Sequence, residues 1–323
     1  MKVLVTGATS LLGRHTVHQL LDAGHEVTTL QRGPDNSSAQ SITGSVTDAA
    51  VVAAAMDGHD SVIHLAAKVA ATGSWADFES VNVDGTRTVI TSAAEAGVTR
   101  MVFVSSPSVA HSGDPIVGGG ASPADPDTTI GHYSTTKAMA ERCALAASTD
   151  TLPIVAIRPH LVIGPGDTQL IGRVVDRARA ARLPLIGSGL ALVDTTWVDN
   201  AAAALVAALD RAPDLGGTAY VVSNGQPRTV HELFSRITAA AGINWSAQHI
   251  PAGAAVAGGR VVDRIWARTE RTEDPPMTAF GAEQLSTAHW FDQRETRRAL
   301  GWEPAVSLAE GFDQLTDWFA AQA

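Results

Sequence analysis

Residues 2–15 read "KVLVTGATSLLGRH", and the fold of the whole chain turns on that stretch. "KVLVT" (2–6) is a short β-branched, apolar run of the kind that forms a buried strand. The residues from 11 to 23 then show helical periodicity. Gly7 and Gly13 stand where a strand–turn–helix unit that cradles a dinucleotide needs glycine. The first permits the tight turn and the second lets helix and strand pack closely. The helix N-terminus would present free amides and the positive end of its dipole to a pyrophosphate. Ser10 holds the central place, a departure from the three-glycine pattern that still keeps the side chain small.

Outward from this turn the pattern repeats. "EVTTL" (26–30), "SVIHLA" (61–66), "RMVFVS" (100–105) and "PIVAI" (153–157) read as buried strands, with helical periodicity over 48–56, 78–97 and 132–147. Strands alternating with crossover helices predict an α/β fold: a doubly wound parallel sheet of the Rossmann kind, covered on both faces. The spacing predicts a dinucleotide-binding domain over 1–164, with a strand–helix unit at 193–224 returning to it. A smaller C-terminal substrate lobe takes 165–192 and 225–323, where the pattern turns irregular and most of the tryptophans fall, Trp245, Trp266, Trp290, Trp302 and Trp318 among them. The stretch 107–131 is rich in Gly, Pro, Ser and Asp and long for a connection, so it predicts a loop over an active site.

The 323 residues are 45% hydrophobic and 17% charged, the profile of a soluble globular protein. A net charge of −10 without Lys/Arg runs argues against nucleic-acid or anionic-membrane partners. Nowhere is there an apolar stretch of transmembrane length. The single cysteine, Cys143, permits no intrachain disulfide and reads as a buried small residue, which fits a reducing cytoplasm. The eleven histidines show no metal-site spacing. His64 ends a strand and reads as structural. His111 and His160 are candidates for a substrate pocket, or satisfied surface histidines. Asp194 and Asp199 read as architectural.

After the second strand comes "TLQRGP" (29–34), with Gln31 where an NAD enzyme usually offers a carboxylate to the ribose, and Arg32 beside it. A neutral residue followed by a cation favours the extra phosphate of NADP(H) over NAD(H). The alternative is an ordinary surface arginine. Arg14, at the start of the first helix, is a possible second cation.

"IGHYSTTKAM" (130–139) holds Tyr133, one of two tyrosines, with Lys137 four places on. Residues four apart share a helix face. Such a pair is a solvated face or the acid/base unit of an oxidoreductase, in which a nearby ammonium lowers the phenol from its usual ~10 towards working pH.

TGxxxxxG, Tyr133-x-x-x-Lys137 and the upstream "VFVSSPSV" together resemble the extended short-chain dehydrogenase/reductase family. "VNVDGT" (81–86), "RPHLVIGPGD" (158–167) and "TTWVDNAAAAL" (195–205) are similar to its later landmarks, so the resemblance runs nearly end to end. It implies a catalytic set of Ser106, Tyr133, Lys137 and Asn82. Ser106 would hydrogen-bond the substrate oxygen, with Ser105 and Ser108 as rivals. Lys137 would also hold the nicotinamide ribose, and Asn82 would support the lysine. The cofactor would lie along Gly7, Thr9, Ser10, Leu11, Leu12 and Gly13, then Arg32, Ala66 and Ala67, and reach Tyr133 and Lys137.

Two branches compete for the substrate. Many nucleotide-sugar epimerases and dehydratases of the family carry an arginine for the diphosphate where this chain has Val193, which argues against them, although Arg260 is a possible substitute. The region 273–311 resembles the hydroxysteroid-dehydrogenase-like branch. Within it "SPSVAH", "VDTTWVDNAA" and "LSTAHWF" resemble the 2-alkyl-3-oxoalkanoate reductases of olefin biosynthesis, which implies an apolar, long-chain keto acid and NADP(H). The stretch 245–280 mixes apolar residues with Arg260, Arg264, Arg268 and Arg271, suited either to alkyl chains and a carboxylate or to a packing helix with a basic edge. A steroid or other cyclic-alcohol dehydrogenase and a non-catalytic cofactor sensor are the remaining alternatives. Family members often pair through the helices expected at 78–97 and 132–147, so a homodimer is expected.

Overall fold

The alternating runs of the N-terminal half pair side by side. In the computed structural model, which describes residues 1–34, 37–70, 73–266, 268 and 275–322, seven strands join in one sheet. They are β1 (Lys2–Thr6), β2 (Glu26–Gln31), β3 (Gln40–Thr43), β4 (Ser61–His64), β5 (Arg100–Val104), β6 (Ile154–Pro159) and β7 (Ala219–Val222). Their order is β3-β2-β1-β4-β5-β6-β7 and every neighbouring pair is parallel. Both faces are covered, which is why the strands read as continuous apolar runs. On one face Val3, Val5, Val102 and Ile157 pack with helices α1 (Leu11–Asp22) and, from further along the chain, Val198–Leu215. On the other, Leu4, Val62, Phe103 and Ile154 pack with α2 (Ala49–Met56), α3 (Gly85–Glu95) and α4 (His132–Ala146).

From β1 the chain runs outward to β2 and β3, then returns to β4 on the opposite side of β1. At such a switch point the loops after neighbouring strands diverge and leave a crevice at the carboxyl ends of the strands. The loops after β1, β4 and β5 open there.

The structure departs from the sequence pattern in three places. β3 is short, polar and mostly exposed, so no periodicity announced it. The helix expected over 78–97 is interrupted: a turn at Trp75–Phe78 passes into a π-helical segment, Glu79–Asp84, before α3. The stretch 107–131 is more than a loop. It contains a 3₁₀ turn, Pro107–Ala110, and a strand, Ile116–Gly119, that pairs parallel with His289–Phe291. This second, small sheet also includes Leu192–Val193 and Arg228–Thr229 and ties the segment after β5 to the C-terminal part of the chain.

Beyond β6, helices Ile171–Arg179, Val230–Ala240 and Leu308–Ala320 enclose a third apolar cluster around Leu185, Val193 and Trp197. Helices Ala252–Trp266 and Ala279–Ser286 pack on each other. Gly259 lies buried at their contact, where a Cβ would come within 2.7 Å of the Ala279 Cα.

Candidate active site

The turn after β1 is built around its glycines. Gly7 has φ +75°, and a Cβ there would lie 2.7 Å from the Ala66 amide nitrogen. At Gly13 a Cβ would lie 2.8 Å from the Ala8 Cα. Ser10, in the place of the central glycine, caps α1: its Oγ accepts the Gly13 amide at 3.0 Å and donates to the Gly7 carbonyl at 3.0 Å. Leu11 and Leu12 lie in the first turn, where an α-helix leaves its amides without intrahelical partners. The Thr9 carbonyl accepts the Arg14 guanidinium at 2.7 Å. Across the crevice, half-buried Ala66 and Ala67 follow β4. A turn that admits no Cβ, next to a helix start at the switch point, fits a dinucleotide pyrophosphate. At the end of β2, Gln31 is buried and donates to Ser41 Oγ at 2.7 Å, while Arg32 is exposed.

Between the two halves of the crevice lies His64. Its Nδ1 is 2.7 Å from Thr6 Oγ1 and its Nε2 is 3.1 Å from Thr86 Oγ1. The Thr86 hydroxyl donates to the Asn82 carbonyl at 2.6 Å, so it accepts from His64 Nε2–H, and Thr6 donates to Nδ1. Burial, helped by the charge of Lys137, brings the His64 pKa down to about 3. His64 is therefore neutral and ties β1, β4, α3 and the π-helical segment together.

Tyr133 and Lys137 occupy successive turns of α4. The phenol is partly buried, and burial raises its pKa; Ser106, which hydrogen-bonds it, pulls in the opposite direction. Ser106 Oγ is also 3.0 Å from Ser108 Oγ. Ser105 is buried, its hydroxyl without a partner among the described residues. Lys137 is 2% exposed. Its ammonium donates to the Val104 carbonyl at 2.7 Å and sits 4.1 Å from the centre of the Phe103 ring. Burial lowers its pKa to about 7, with Glu141 one turn further on partly opposing. The expected lowering of the phenol by the lysine is not what this arrangement produces. The ammonium faces β5, and the phenol answers to burial and Ser106.

Asn82 sits in the π-helical segment. Its Oδ1 accepts the Lys68 amide at 2.7 Å, and its Nδ2 donates to Thr136 Oγ1 at 3.0 Å. It thus fastens the loop after β4 to α4 beside Lys137, without bonding the lysine itself. π-Helical turns are frequent at functional sites, and here the turn delivers Asn82.

From Ser106 and Tyr133 a cleft of about 1550 Å³ runs towards the C-terminal part of the chain. Its walls include Leu170, Val174, Leu183, Leu233, Phe234, Trp266, Met277 and Phe280, with Arg173, Arg177 and Arg260. Val193 lines it as an apolar residue. Arg264 and Arg268 are exposed, and Arg271 lies outside the described residues. His111 and His160 both line the cleft and both are buried, so the surface alternative falls away. Sequence reasoning missed His289, whose Nδ1 meets His160 Nε2 at 2.8 Å. Asp194 is fully buried, accepting from Ser223 Oγ and the Phe291 amide, and Asp199 meets His15 at 2.6 Å. No group of three or more potential metal ligands is found among the described residues. No helix among them is long and apolar enough to cross a membrane.

Residues 3–223 match the model of the NAD dependent epimerase/dehydratase family. The chain belongs to that family. It is an oxidoreductase of the extended short-chain dehydrogenase/reductase type, acting on CH–OH groups. It is 39% identical to the 2-alkyl-3-oxoalkanoate reductase of Stenotrophomonas maltophilia (strain K279a) over 98% of both chains. It is 30% identical to the decarboxylating sterol-4-alpha-carboxylate 3-dehydrogenase of Mus musculus over 98% of this chain and 91% of that protein. Among solved structures, MoeE5 in complex with UDP-glucuronic acid and NAD superposes with a TM-score of 0.75 at 26% identity, covering 100% of both chains.

Proposed function

We propose that the protein uses NADP(H) to interconvert the ketone of a 2-alkyl-3-oxoalkanoic acid and the corresponding 3-hydroxy acid. The observation that carries this reading is the cleft: an apolar channel of about 1550 Å³ that begins at the Ser106–Tyr133 pair. Val193 stands where many nucleotide-sugar enzymes of the family place an arginine for the diphosphate, and the cations of this cleft are Arg173, Arg177 and Arg260 instead. A chain with two alkyl arms needs the long apolar wall. The 39% identity to a 2-alkyl-3-oxoalkanoate reductase supports the same substrate class. We assign residues 1–164 and 193–224 to the cofactor side of the cleft, and 165–192 with 225–323 to the substrate side.

When bound, the nicotinamide would supply the hydride, or accept it in the reverse direction. Tyr133, held protonated by burial, gives its proton to the ketone oxygen. Ser106, beside the phenol, orients that oxygen. Lys137, one turn further along the same helix, holds the nicotinamide ribose, and the bond from Asn82 to Thr136 supports the assignment by fixing the helix that carries it. Arg32 is the cation for the extra phosphate of NADPH.

The test is absorbance at the reduced-nicotinamide band with NADP⁺ and a long-chain 2-alkyl-3-hydroxy acid, beside a panel of hydroxysteroids. The hydroxy acid is the better reagent because β-keto acids decarboxylate spontaneously. Turnover of the acid, reduced at least about a hundredfold by Tyr133→Phe, is the expected result. Turnover of steroids alone would replace the substrate assignment with that of a steroid dehydrogenase.

A further inference from the structure

A 3-oxo acid brings two polar groups to the cleft, and the residues already assigned account for one. The acid carbon is two bonds from the reacting carbon, about 2.5 Å away. Whatever receives the acid must therefore flank Ser106 and Tyr133.

The 3₁₀ turn that starts at Ser106 ends at His111. At roughly 2 Å per residue, this places the two Cα atoms about 10 Å apart, within the reach of a bound molecule between their side chains. His111 lines the cleft, is 5% exposed, and its Nε2 is buried with no partner among the described residues. The other two imidazoles of this wall are satisfied. His289 Nε2 donates to the Gln284 carbonyl at 2.8 Å, which leaves its Nδ1 to accept from His160 Nε2–H. Burial keeps both of these neutral. His111 is flanked by the Phe280 ring, edge-on at 6.4 Å, and by the carboxylates of Asp114 and Glu283. Those carboxylates favour its protonated form while burial, the larger influence, opposes it. A buried ring nitrogen with nothing to bond is costly unless a ligand completes it.

We propose that His111 receives the substrate's acid group, donating from Nε2 to a carboxylate oxygen, and so selects 3-oxo and 3-hydroxy acids over neutral ketones and alcohols. The assignment rests on the keto-acid reading of the same cleft. Arg260, on the helix Ala252–Trp266, and Arg173 and Arg177, on the helix Ile171–Arg179, line the same cleft and are the rival donors. Two of the relatives point the same way, since the sterol dehydrogenase's name, like the reductase's, puts a carboxylate on the carbon next to the one that is oxidised or reduced.

The experiment compares kcat/KM for a long-chain 2-alkyl-3-hydroxy acid and its methyl ester, with NADP⁺, in the wild type, His111→Phe, His111→Gln and Arg260→Ala. The expected result is a wild-type preference for the acid that falls about tenfold or more in His111→Phe, the loss of one hydrogen bond to a charged group. His111→Gln, which keeps a donor, recovers part of it. Should His111→Phe not fold, the proton NMR titration of His111 in the wild type decides. Its pKa should rise in the dead-end complex of NADPH with the hydroxy acid and not in that with the ester. An acid-to-ester ratio unchanged in a folded His111→Phe, a ratio that collapses with Arg260→Ala instead, or an unmoved His111 titration overturns the assignment alone. A wild type that turns over neither compound overturns the keto-acid reading and this assignment with it.

Discussion

Lys137 places a cation where burial opposes a cation. In the unfolded chain its pKa is the usual 10.5, whereas burial brings it to about 7 in the fold. Between those values the unfolded chain binds a proton that the folded chain does not. Stability therefore rises with pH across that window, by at most about 1.4 kcal/mol per pH unit for one proton. Below pH 7 the folded chain carries the charged lysine and the full desolvation cost. Urea midpoints of the cofactor-free protein should accordingly climb from pH 7 to pH 9 more steeply than those of Lys137→Met. Equal slopes would mean that the ammonium is solvated, with the bond to Val104 absent. Tyr133 and Lys137 were legible as a pair because helical spacing is a local signal, whereas Ser106 and Asn82 were legible only through the resemblance of "SSPSV" and "VNVDGT" to the family's motifs. The meeting of His160 with His289 was not, since their sequence separation of 129 carries no local pattern.

At the scale of elements, α4 carries Tyr133, Lys137 and Glu141 one after another at intervals of four. Glu141 is locked to β6 by a bidentate pair, Arg158 Nε to Oε2 at 2.8 Å and Nη2 to Oε1 at 2.5 Å, both side chains 1% exposed. Arg158 Nη1 also donates to the Ser122 carbonyl at 2.8 Å, so one guanidinium joins α4, β6 and the segment after β5. Removing one partner of such a pair leaves the other charge buried and alone. Arg158→Met should lower the unfolding free energy by about 3–5 kcal/mol. The double variant with Glu141→Leu should lose markedly less than the sum of the two single changes. Strict additivity in denaturant titrations would show the pair to be uncoupled. No sequence pattern disclosed this clasp, because a glutamate inside an amphipathic helix reads as a solvated face. The π-helical segment was hidden for a related reason: one extra residue in a turn barely disturbs a helical period. The strand Ile116–Gly119 escaped because its partner, His289–Phe291, lies far along the chain.

For the molecule as a whole, the parallel sheet was the most legible feature. Strands buried on both faces must be apolar throughout, whatever their partners. The C-terminal region was the least legible, as its two- and three-residue strands are held by segments distant in sequence. The strand order also separates the ends of the crevice: Gln31 ends β2 and Arg32 follows it on one side of β1, and Ser106 follows β5 on the other. A cofactor laid between them brings negative charge to a chain whose own net charge is −10. Long-range electrostatics oppose that approach, so phosphate recognition has to come from cations close at hand. At the β2 end Arg32 and Arg14 are both exposed, and the Arg14 guanidinium is bonded to the Thr9 carbonyl. Arg32→Ala should raise KM for NADPH about tenfold at low ionic strength, the loss of one charge-assisted bond, and change KM for NADH far less. Because the contact is exposed, the difference between the two cofactors should narrow as salt is added, the phosphate being screened beyond a few ångströms. An equal effect on both cofactors at every salt concentration would remove Arg32 from phosphate recognition. Any preference for NADP(H) would then fall to Gln31, the neutral residue that stands where a carboxylate would otherwise repel the phosphate.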